Sequence, residues 1–335
     1  MPNLPFFSII ICTYNPDFSI FSRVLKSIHE LKTDGINYEI IIVDNNSSES
    51  LVEHPAVISF LSGNRFARVI SEKSPGLTSA RIAGIENSLA DWIIFFDDDN
   101  EPDTNYLLEA KKLIGIHPEL GICGPGVIKV KFSKENSLTV TQRIQELFQS
   151  RCNHADNISD NLHLGNPQAF PYGTGMIVKK DIADKYATLV HKNIYTLNDR
   201  IGNSFLSGGD TQILYLAMLR GYHSGTGHRI QLNHIISPEK ISIHALIKLI
   251  YSLQVCHIKA YNEVFEKKLL FNSPKSNYEL LKLILSNLFR GRNKNRTDRL
   301  FDLSASLGME KAAVVAGNLK SAYLLRLWER YWKIA

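Results

Sequence analysis

Short runs of apolar residues alternate along the first hundred or so positions with segments whose apolar residues recur at helical spacing. Phe6-Phe7-Ser8-Ile9-Ile10-Ile11-Cys12 is aromatic and β-branched almost throughout, so it predicts a buried strand, and Thr13-Tyr14-Asn15-Pro16 breaks it. Residues 18–31 set Phe21, Leu25 and Ile28 on one helical face. Tyr38-Glu39-Ile40-Ile41-Ile42-Val43 predicts a second strand, ended by Asp44-Asn45-Asn46-Ser47-Ser48. Arg68-Val69-Ile70 predicts a short third strand and residues 79–89 a helix, after which Trp92-Ile93-Ile94-Phe95-Phe96 runs directly into Asp97-Asp98-Asp99. Strands that are apolar on both faces and separated by helices belong to parallel sheets covered on both sides. The expected class is therefore α/β, with a doubly wound, mainly parallel sheet flanked by helices.

The remainder is less regular. Leu120 to Ile128 reads as a strand with a Gly124-Pro125-Gly126 break, and the polar, His- and Asn-rich stretch 133–165 reads as an insertion or lid. Pro171-Tyr172-Gly173-Thr174-Gly175 is a glycine-rich turn into the strand Met176-Ile177-Val178. Its glycines fit either a bulge or a close approach of the backbone to a ligand. Leu206-Ser207-Gly208-Gly209-Asp210 opens a helix over 211–219, with Gly221 as its C-terminal stop. Asp210 there is either an N-cap or a carboxylate held at a fixed point by a tight glycine turn.

From about Ile241 the chain turns helical. Leu280 to Phe289 is apolar, Arg290, Arg292, Lys294, Arg296 and Arg299 follow it, and Tyr323, Leu324, Leu327, Trp328, Tyr331 and Trp332 mark the last helix. Two readings fit this basic and aromatic tail: amphipathic helices on an anionic membrane surface, or a helical subdomain with a solvated basic loop. The expected division is thus a sheet domain over 1–240 and a mainly helical region over 241–335 that serves acceptor, membrane or oligomer contacts.

Composition narrows the function classes. The 335 residues are 44% hydrophobic and 21% charged, an ordinary globular balance with material for a sizeable core. The formal net charge of +5 suits phosphate-bearing ligands or an anionic membrane and is too small to argue for nucleic acid. Cys12, Cys123, Cys152 and Cys256 are scattered, with no zinc spacing, so they read as reduced thiols. No charged leader and no apolar stretch of membrane-spanning length is evident, which predicts a cytoplasmic protein, with peripheral contact at the inner face of the membrane left open.

Three polar clusters fall at the C-terminal ends of predicted strands: Thr13-Tyr14-Asn15, Asp44-Asn45-Asn46 and Asp97-Asp98-Asp99. An isolated aspartate run is usually a solvated turn, since adjacent carboxylates repel. In a parallel sheet, however, ligands bind outside the carboxyl ends of the strands. Three such clusters together describe a ligand cleft. A hard divalent cation, Mn²⁺ or Mg²⁺, would relieve the repulsion and is commonly shared with substrate phosphates.

The order of these motifs resembles glycosyltransferase family 2 with the Rossmann-like GT-A fold. The residues that carry the resemblance are Ile9 to Asn15, Ile42 to Ser48, Gly76 with Ala80-Arg81 and Gly84, Phe95 to Asn100, Gly173-Thr174-Gly175 and Gly208-Gly209-Asp210, within residues 6–240. The resemblance implies an inverting transferase that uses a nucleotide-sugar donor, taken here as a UDP-sugar, and a glycan or lipid-linked acceptor. Bacterial surface polysaccharide synthesis is the setting it suggests. It assigns Thr13, Tyr14, Asn15 and Asp44 to the nucleoside, Arg81 to the base or phosphates, Asp97 and Asp98 to ribose or metal waters, and Gly175 to the donor. Asp99 and His234 would hold Mn²⁺ or Mg²⁺, Lys240 would contact the diphosphate, and Asp210 would be the general base. Ile82 stands where the family's Asn is usual, and Gly209 where an acidic residue usually precedes Asp210. His223, His228, His244 and His257 lack a paired ligand pattern and read as structural or surface residues.

Two alternatives stand beside this one. A nucleotidyltransferase would carry a glycine-rich basic phosphate loop after the first strand, and Thr13-Tyr14-Asn15-Pro16-Asp17 is not such a loop. A non-catalytic sugar-binding protein on the same fold would be expected to lose Asp99 or Asp210, and both are present. Oligomeric state is open.

Overall fold

The computed structural model describes residues 4–133, 141–162, 166–197, 199, 207–266, 274–289 and 295–334. The basic residues Arg290, Arg292 and Lys294 lie outside the described residues, as do 134–140 and 163–165 within the expected insertion or lid. The chain divides into two compact units. The first comprises residues 1–194 and 213–237, the second 195–212 and 238–335. The sequence pattern places a single break at 240; the structure also transfers 195–212 to the second unit, and with it Asp210.

In the first unit the elements run β1 (Phe7–Thr13), α1 (Phe18–His29), β2 (Tyr38–Asp44), α2 (Pro55–Gly63), β3 (Ala67–Ser71), α3 (Leu77–Glu86), β4 (Trp92–Asp97), β5 (Asn100–Pro102), α4 (Tyr106–Ile116) and β6 (Leu120–Phe132). They continue with α5 (Gln142–Leu147), β7 (Arg151–Cys152), β8 (Asn157–Ser159), β9 (Met176–Lys179), α6 (Lys180–His191), α7 (Gly209–Leu219), which starts in the second unit, and β10 (His223–Ile236). One sheet has the order β3-β2-β1-β4-β9-β6-β10-β5, with β7 on β6 and β8 on β10. The strands β3, β2, β1 and β4 are parallel. β9 then runs antiparallel to both β4 and β6, while β10 returns parallel to β6. The α/β class and the flanking helices are those expected; the parallel arrangement covers one half of the sheet and the other half is mixed.

Both faces of β2, β1 and β4 are buried, which is why these strands are apolar almost throughout. Phe7, Ile9, Ile11, Ile40, Ile42, Trp92, Ile94 and Phe96 pack with Phe21, Val24, Leu25 and Ile28 of α1, Val57 and Phe60 of α2, and Tyr106, Leu107 and Ala110 of α4. On the other face α3 lies close enough to β1 that a Cβ on Gly84 would stand 2.5 Å from Cγ2 of Ile10. A charged residue inside β2 is accommodated at the opposite end from the polar clusters. Glu39 accepts from Ser8 Oγ at 2.5 Å, Arg68 Nη1 at 2.7 Å and Leu89 N at 2.7 Å.

One expectation changes and another is narrowed. Gly124-Pro125-Gly126 does not break the strand; β6 runs through it, and the irregularity falls on β10, whose register shifts between Gly227 and Gln231. The glycine reflects close backbone approach, since a Cβ on Gly126 would lie 2.7 Å from Gly227 O. Of the two readings of 133–165, the described part fits an insertion built onto the sheet, since β7 and β8 pair with it.

The second unit contains α8 (Ile243–Phe265), α9 (Asn277–Phe289), α10 (Arg296–Ala316) and α11 (Tyr323–Tyr331). Tyr251, Val255, Leu280, Leu303, Leu307, Val314 and Leu325 form its core. Its buried Glu329 accepts from Tyr251 Oη at 2.8 Å and pairs with Lys311 Nζ at 2.8 Å. Among the described residues no helix is long and apolar enough to cross a membrane.

Because Gly126 faces backbone, which cannot rotate away as a side chain can, Gly126→Ala is expected to destabilise the fold by about 1–3 kcal/mol. Chemical denaturation of the two proteins measures this; an unchanged midpoint would mean that β6 and β10 are not so closely apposed.

Candidate active site

Parallel register brings the three polar clusters to one edge. Thr13 lies opposite Asp44 on β2, and Cys12 opposite Asp97 on β4. Thr13 is buried, and its Oγ1 donates to Asp98 Oδ2 at 2.6 Å. Tyr14 is 62% exposed, with its ring free to meet a planar ligand. Asn15 takes the left-handed conformation at φ 46, and its Oδ1 accepts from Ser48 N at 2.8 Å and Ser48 Oγ at 3.0 Å. These contacts make Asn15 a clamp between the β1 and β2 loops. Asp44 Oδ1 accepts from Ser47 N at 3.0 Å, which fixes the turn after β2.

Asn45 reaches across to the next crossover. Its Nδ2 donates to Ser74 O at 2.7 Å, and its Oδ1 accepts from Gly76 N at 2.8 Å, just where α3 begins. Arg81 follows on that helix. It is 4% exposed, and its guanidinium carbon lies 5.7 Å from the centre of the Phe95 ring. The Cys12 thiol senses this group of charges. Burial pushes it up to about 12, opposed by Arg81 and reinforced by Asp97 and Asp98.

The aspartate run forms the turn between β4 and β5. Asn100 is fully buried and clamps it: its Oδ1 accepts from Asp97 N at 3.1 Å, and its Nδ2 donates to Asp99 Oδ1 at 2.8 Å. Asp99 is 6% exposed, and its carbonyl accepts from Ile235 N at 2.8 Å. β5 pairs antiparallel with β10 so that Asn100 stands opposite His234, and His234 Nε2 comes within 3.5 Å of Asp99 Oδ1. The other ring nitrogen, Nδ1, lies 2.9 Å from Phe148 O. A carbonyl only accepts, so Nδ1 carries the proton. Nε2 then turns a lone pair toward a carboxylate unless a proton or a cation sits between them.

Asp99 and His234 are the residues that could hold a cation here. Among the described residues no three His, Cys, Asp or Glu side chains converge as a ready-made cage. One carboxylate and one imidazole suit a divalent ion whose other positions are filled by substrate phosphates and water, the habit of Mg²⁺ and Mn²⁺. The imidazole favours Mn²⁺ of the two, since Mg²⁺ prefers oxygen.

Gly175 is needed for packing. Its φ is +71, a Cβ would stand 2.6 Å from Leu232 Cδ2, and its carbonyl accepts from Tyr106 Oη at 2.5 Å. The crowding comes from core side chains, a different demand from the ligand approach expected there.

Asp210 and Lys240 belong to the second unit. Asp210 is not the N-cap of α7; it is the second residue of that helix, and its Oδ1 accepts from Thr211 N at 2.8 Å. The helix start is satisfied instead by Asp199. This carboxylate is fully buried and accepts from Gly208 N at 2.7 Å and from Gly209 N at 3.2 and 3.1 Å. Ser207 N donates to Cys256 Sγ, and Gln212 Nε2 donates to Glu263 Oε2, so both flanks of the glycine turn are fastened to α8. Lys240 lies in the single helical turn Pro238–Ile241. Asp199 and Asn100 carry no periodic signal. Only their type, short amide or carboxylate side chains beside a turn, points to them.

Comparison with known proteins bears on the family and the fold. Residues 8–186 match the model of Glycosyl transferase family 2. The chain is 28% identical over 121 residues to N-acetylgalactosaminyltransferase 6 of Drosophila melanogaster, covering 36% of this chain and 18% of that protein. It is 23% identical over 239 residues to Glycosyltransferase AglE of Haloferax volcanii, covering 70% and 68%. Among solved structures, that of S. aureus TarS superposes with a TM-score of 0.50 at 15% identity, covering 92% of this chain and 54% of that one, a likeness of fold. The chain spans only 18% and 21% of the length of two animal relatives that it matches.

Asp199→Ala would leave the first amides of α7 buried without an acceptor. A loss of about 2 kcal/mol or more is expected, at the upper end of N-cap substitutions because the group is fully buried. A thermal melt compared with wild type tests this, and an unchanged midpoint would exclude Asp199 as the cap.

Proposed function

The chain belongs to glycosyl transferase family 2, and on that premise we propose that it transfers a sugar from a nucleotide-diphosphate donor, a UDP-sugar, to a hydroxyl of a glycan or lipid-linked acceptor with inversion at the sugar carbon. Bacterial surface polysaccharide synthesis is the proposed setting. The observation that carries the reading is the Asp97-Asp98-Asp99 turn at the edge shared with Thr13 and Asp44, with Asp99 set against His234.

The residues divide the work by chemistry. Asp44 and Thr13 hold the nucleoside, the carboxylate accepting from a uracil ring N–H, and exposed Tyr14 covers the base. Arg81 contacts the base or the phosphates of the donor. Asp99 and His234 would hold a divalent ion, which would supply charge neutralisation for the departing diphosphate. Lys240 adds a second cation for that leaving group. Asp210 takes the proton of the acceptor hydroxyl as the new carbon–oxygen bond forms and the sugar–phosphate bond breaks, so the nucleoside diphosphate leaves with the electron pair.

The test is nucleoside diphosphate release with Mn²⁺ across a panel of nucleotide sugars and crude glycan or lipid acceptors. UDP-N-acetylgalactosamine heads the panel, in view of the relatives' names. Asp210→Asn should lower turnover by about 10²–10⁴-fold. Asp99→Ala should abolish the response to metal. Full activity in both variants would show that the site lies elsewhere.

Peripheral contact with an anionic membrane is part of the same proposal. α11 exposes Tyr323, Leu327 and Tyr331 beside Arg326 and Arg330. Co-sedimentation with phosphatidylglycerol vesicles, lost with neutral phosphatidylcholine and reduced in Leu327→Ser/Tyr331→Ser, is the expected result. Equal recovery without vesicles would point to self-association, and no sedimentation would exclude the contact.

A further inference from the structure

Arg151 stands out among the partly buried cations of the first unit. Arg68 is paired with Glu39, and Arg23 with Glu101. Arg151 has no such partner among the described residues. Its Nη2 donates to Phe170 O at 2.8 Å, and its guanidinium carbon lies 4.1 Å from the centre of the Tyr172 ring. Its Nη1 is buried with no hydrogen-bond partner. Burial draws the guanidinium below its ordinary range, and the group that opposes the shift is Tyr172, with no carboxylate contributing. Removing a cation from water without an anion is costly, and a guanidinium fork matches phosphate or carboxylate oxygens.

The sheet fixes where this cation stands. Arg151 on β7 is level with Ile128 on β6, and Ile128 with Leu232 on β10, two positions before His234. Phe148, three residues before Arg151, is the residue whose carbonyl holds His234 Nδ1. On the other side, Tyr172, against which the guanidinium stacks, leads directly into Gly173-Thr174-Gly175 and so to β9 beside β4. The segment that orients His234 therefore also carries Arg151, between the Asp99–His234 pair and the glycine turn.

We propose that Arg151 binds an anionic oxygen of the substrate, phosphate or carboxylate, at this edge of the sheet. Two sources share that chemistry: the diphosphate of the nucleotide donor, which rests on the function proposed above, and an anionic group of the acceptor, which does not depend on which nucleotide is used.

Calorimetric titration of the full chain with UDP, inorganic pyrophosphate, inorganic phosphate and uridine, each with Mn²⁺, tests it. Wild type is compared with Arg151→Gln, Arg151→Lys and Tyr172→Leu, the last leaving the charge but removing its stacking support. Loss of a charged hydrogen bond should weaken anion binding about tenfold to a hundredfold. Arg151→Lys should fall between wild type and Arg151→Gln, and uridine binding should be unchanged. Weakened UDP and pyrophosphate binding assigns the donor diphosphate. Weakened phosphate binding with UDP unaffected assigns the acceptor. Unchanged binding of all three anions, or an equal loss for uridine, overturns the proposal. Should Arg151→Gln fail to fold, Arg151→Lys and Tyr172→Leu decide between the same outcomes. If wild type binds no UDP, the proposed donor is wrong, while pyrophosphate and phosphate still decide the role of Arg151.

Discussion

The parallel ladder of β2, β1 and β4 is the constraint on which the site depends. Hydrogen bonding sets Thr13 level with Asp44 and Cys12 level with Asp97, so side chains from three separate loops share one edge. A slip of one residue in any of these strands would exchange its buried faces, and both faces are packed by helices. The register is therefore held by the whole core. Concentrating carboxylates at that edge is unfavourable in itself, and the protein offsets it locally: Thr13 donates to Asp98, Asn100 ties the two ends of the aspartate turn, and Arg81 lies behind Phe95. At the other end of the same strands Glu39 shows what a structural carboxylate looks like, with three donors closing on it.

The mixed half of the sheet adds what the parallel half lacks. Because β5 turns back along β10, Asp99 is bound by its own carbonyl to Ile235 and faced by the imidazole of His234. That imidazole is oriented in turn by Phe148, from the segment just before β7. Asp99 is thus fixed from two directions, whereas Asp97 and Asp98 remain partly exposed. A fixed, buried oxygen beside an oriented nitrogen suits a cation, and more exposed neighbours suit ribose or water.

Features that depend on side-chain type and local period were legible in the sequence. The strands β1, β2 and β4 could be read because β-branched and aromatic runs need burial on both sides, and the aspartate cluster because it interrupts such a run. Features that depend on a partner distant in the chain were not. Gly124-Pro125-Gly126 looks like a break, since nothing local reveals that β10 absorbs the irregularity and comes close to Gly126. His234 is oriented by a backbone carbonyl, which leaves no mark in sequence. The reason for Gly175 lies in Leu232 and Tyr106, both far along the chain.

Asp199 shows the same difficulty and its consequence. A helix beginning Gly-Gly-Asp invites the reading that Asp210 caps it, because its first amides require an acceptor. A carboxylate from an aperiodic stretch ahead of the helix supplies that acceptor instead, and α8 fastens the turn through Cys256 and Glu263. Asp199 takes the amides of Gly208 and Gly209, while Asp210 Oδ1 accepts from Thr211 N. Through the contacts with Cys256 and Glu263, 195–212 belongs with the C-terminal helices.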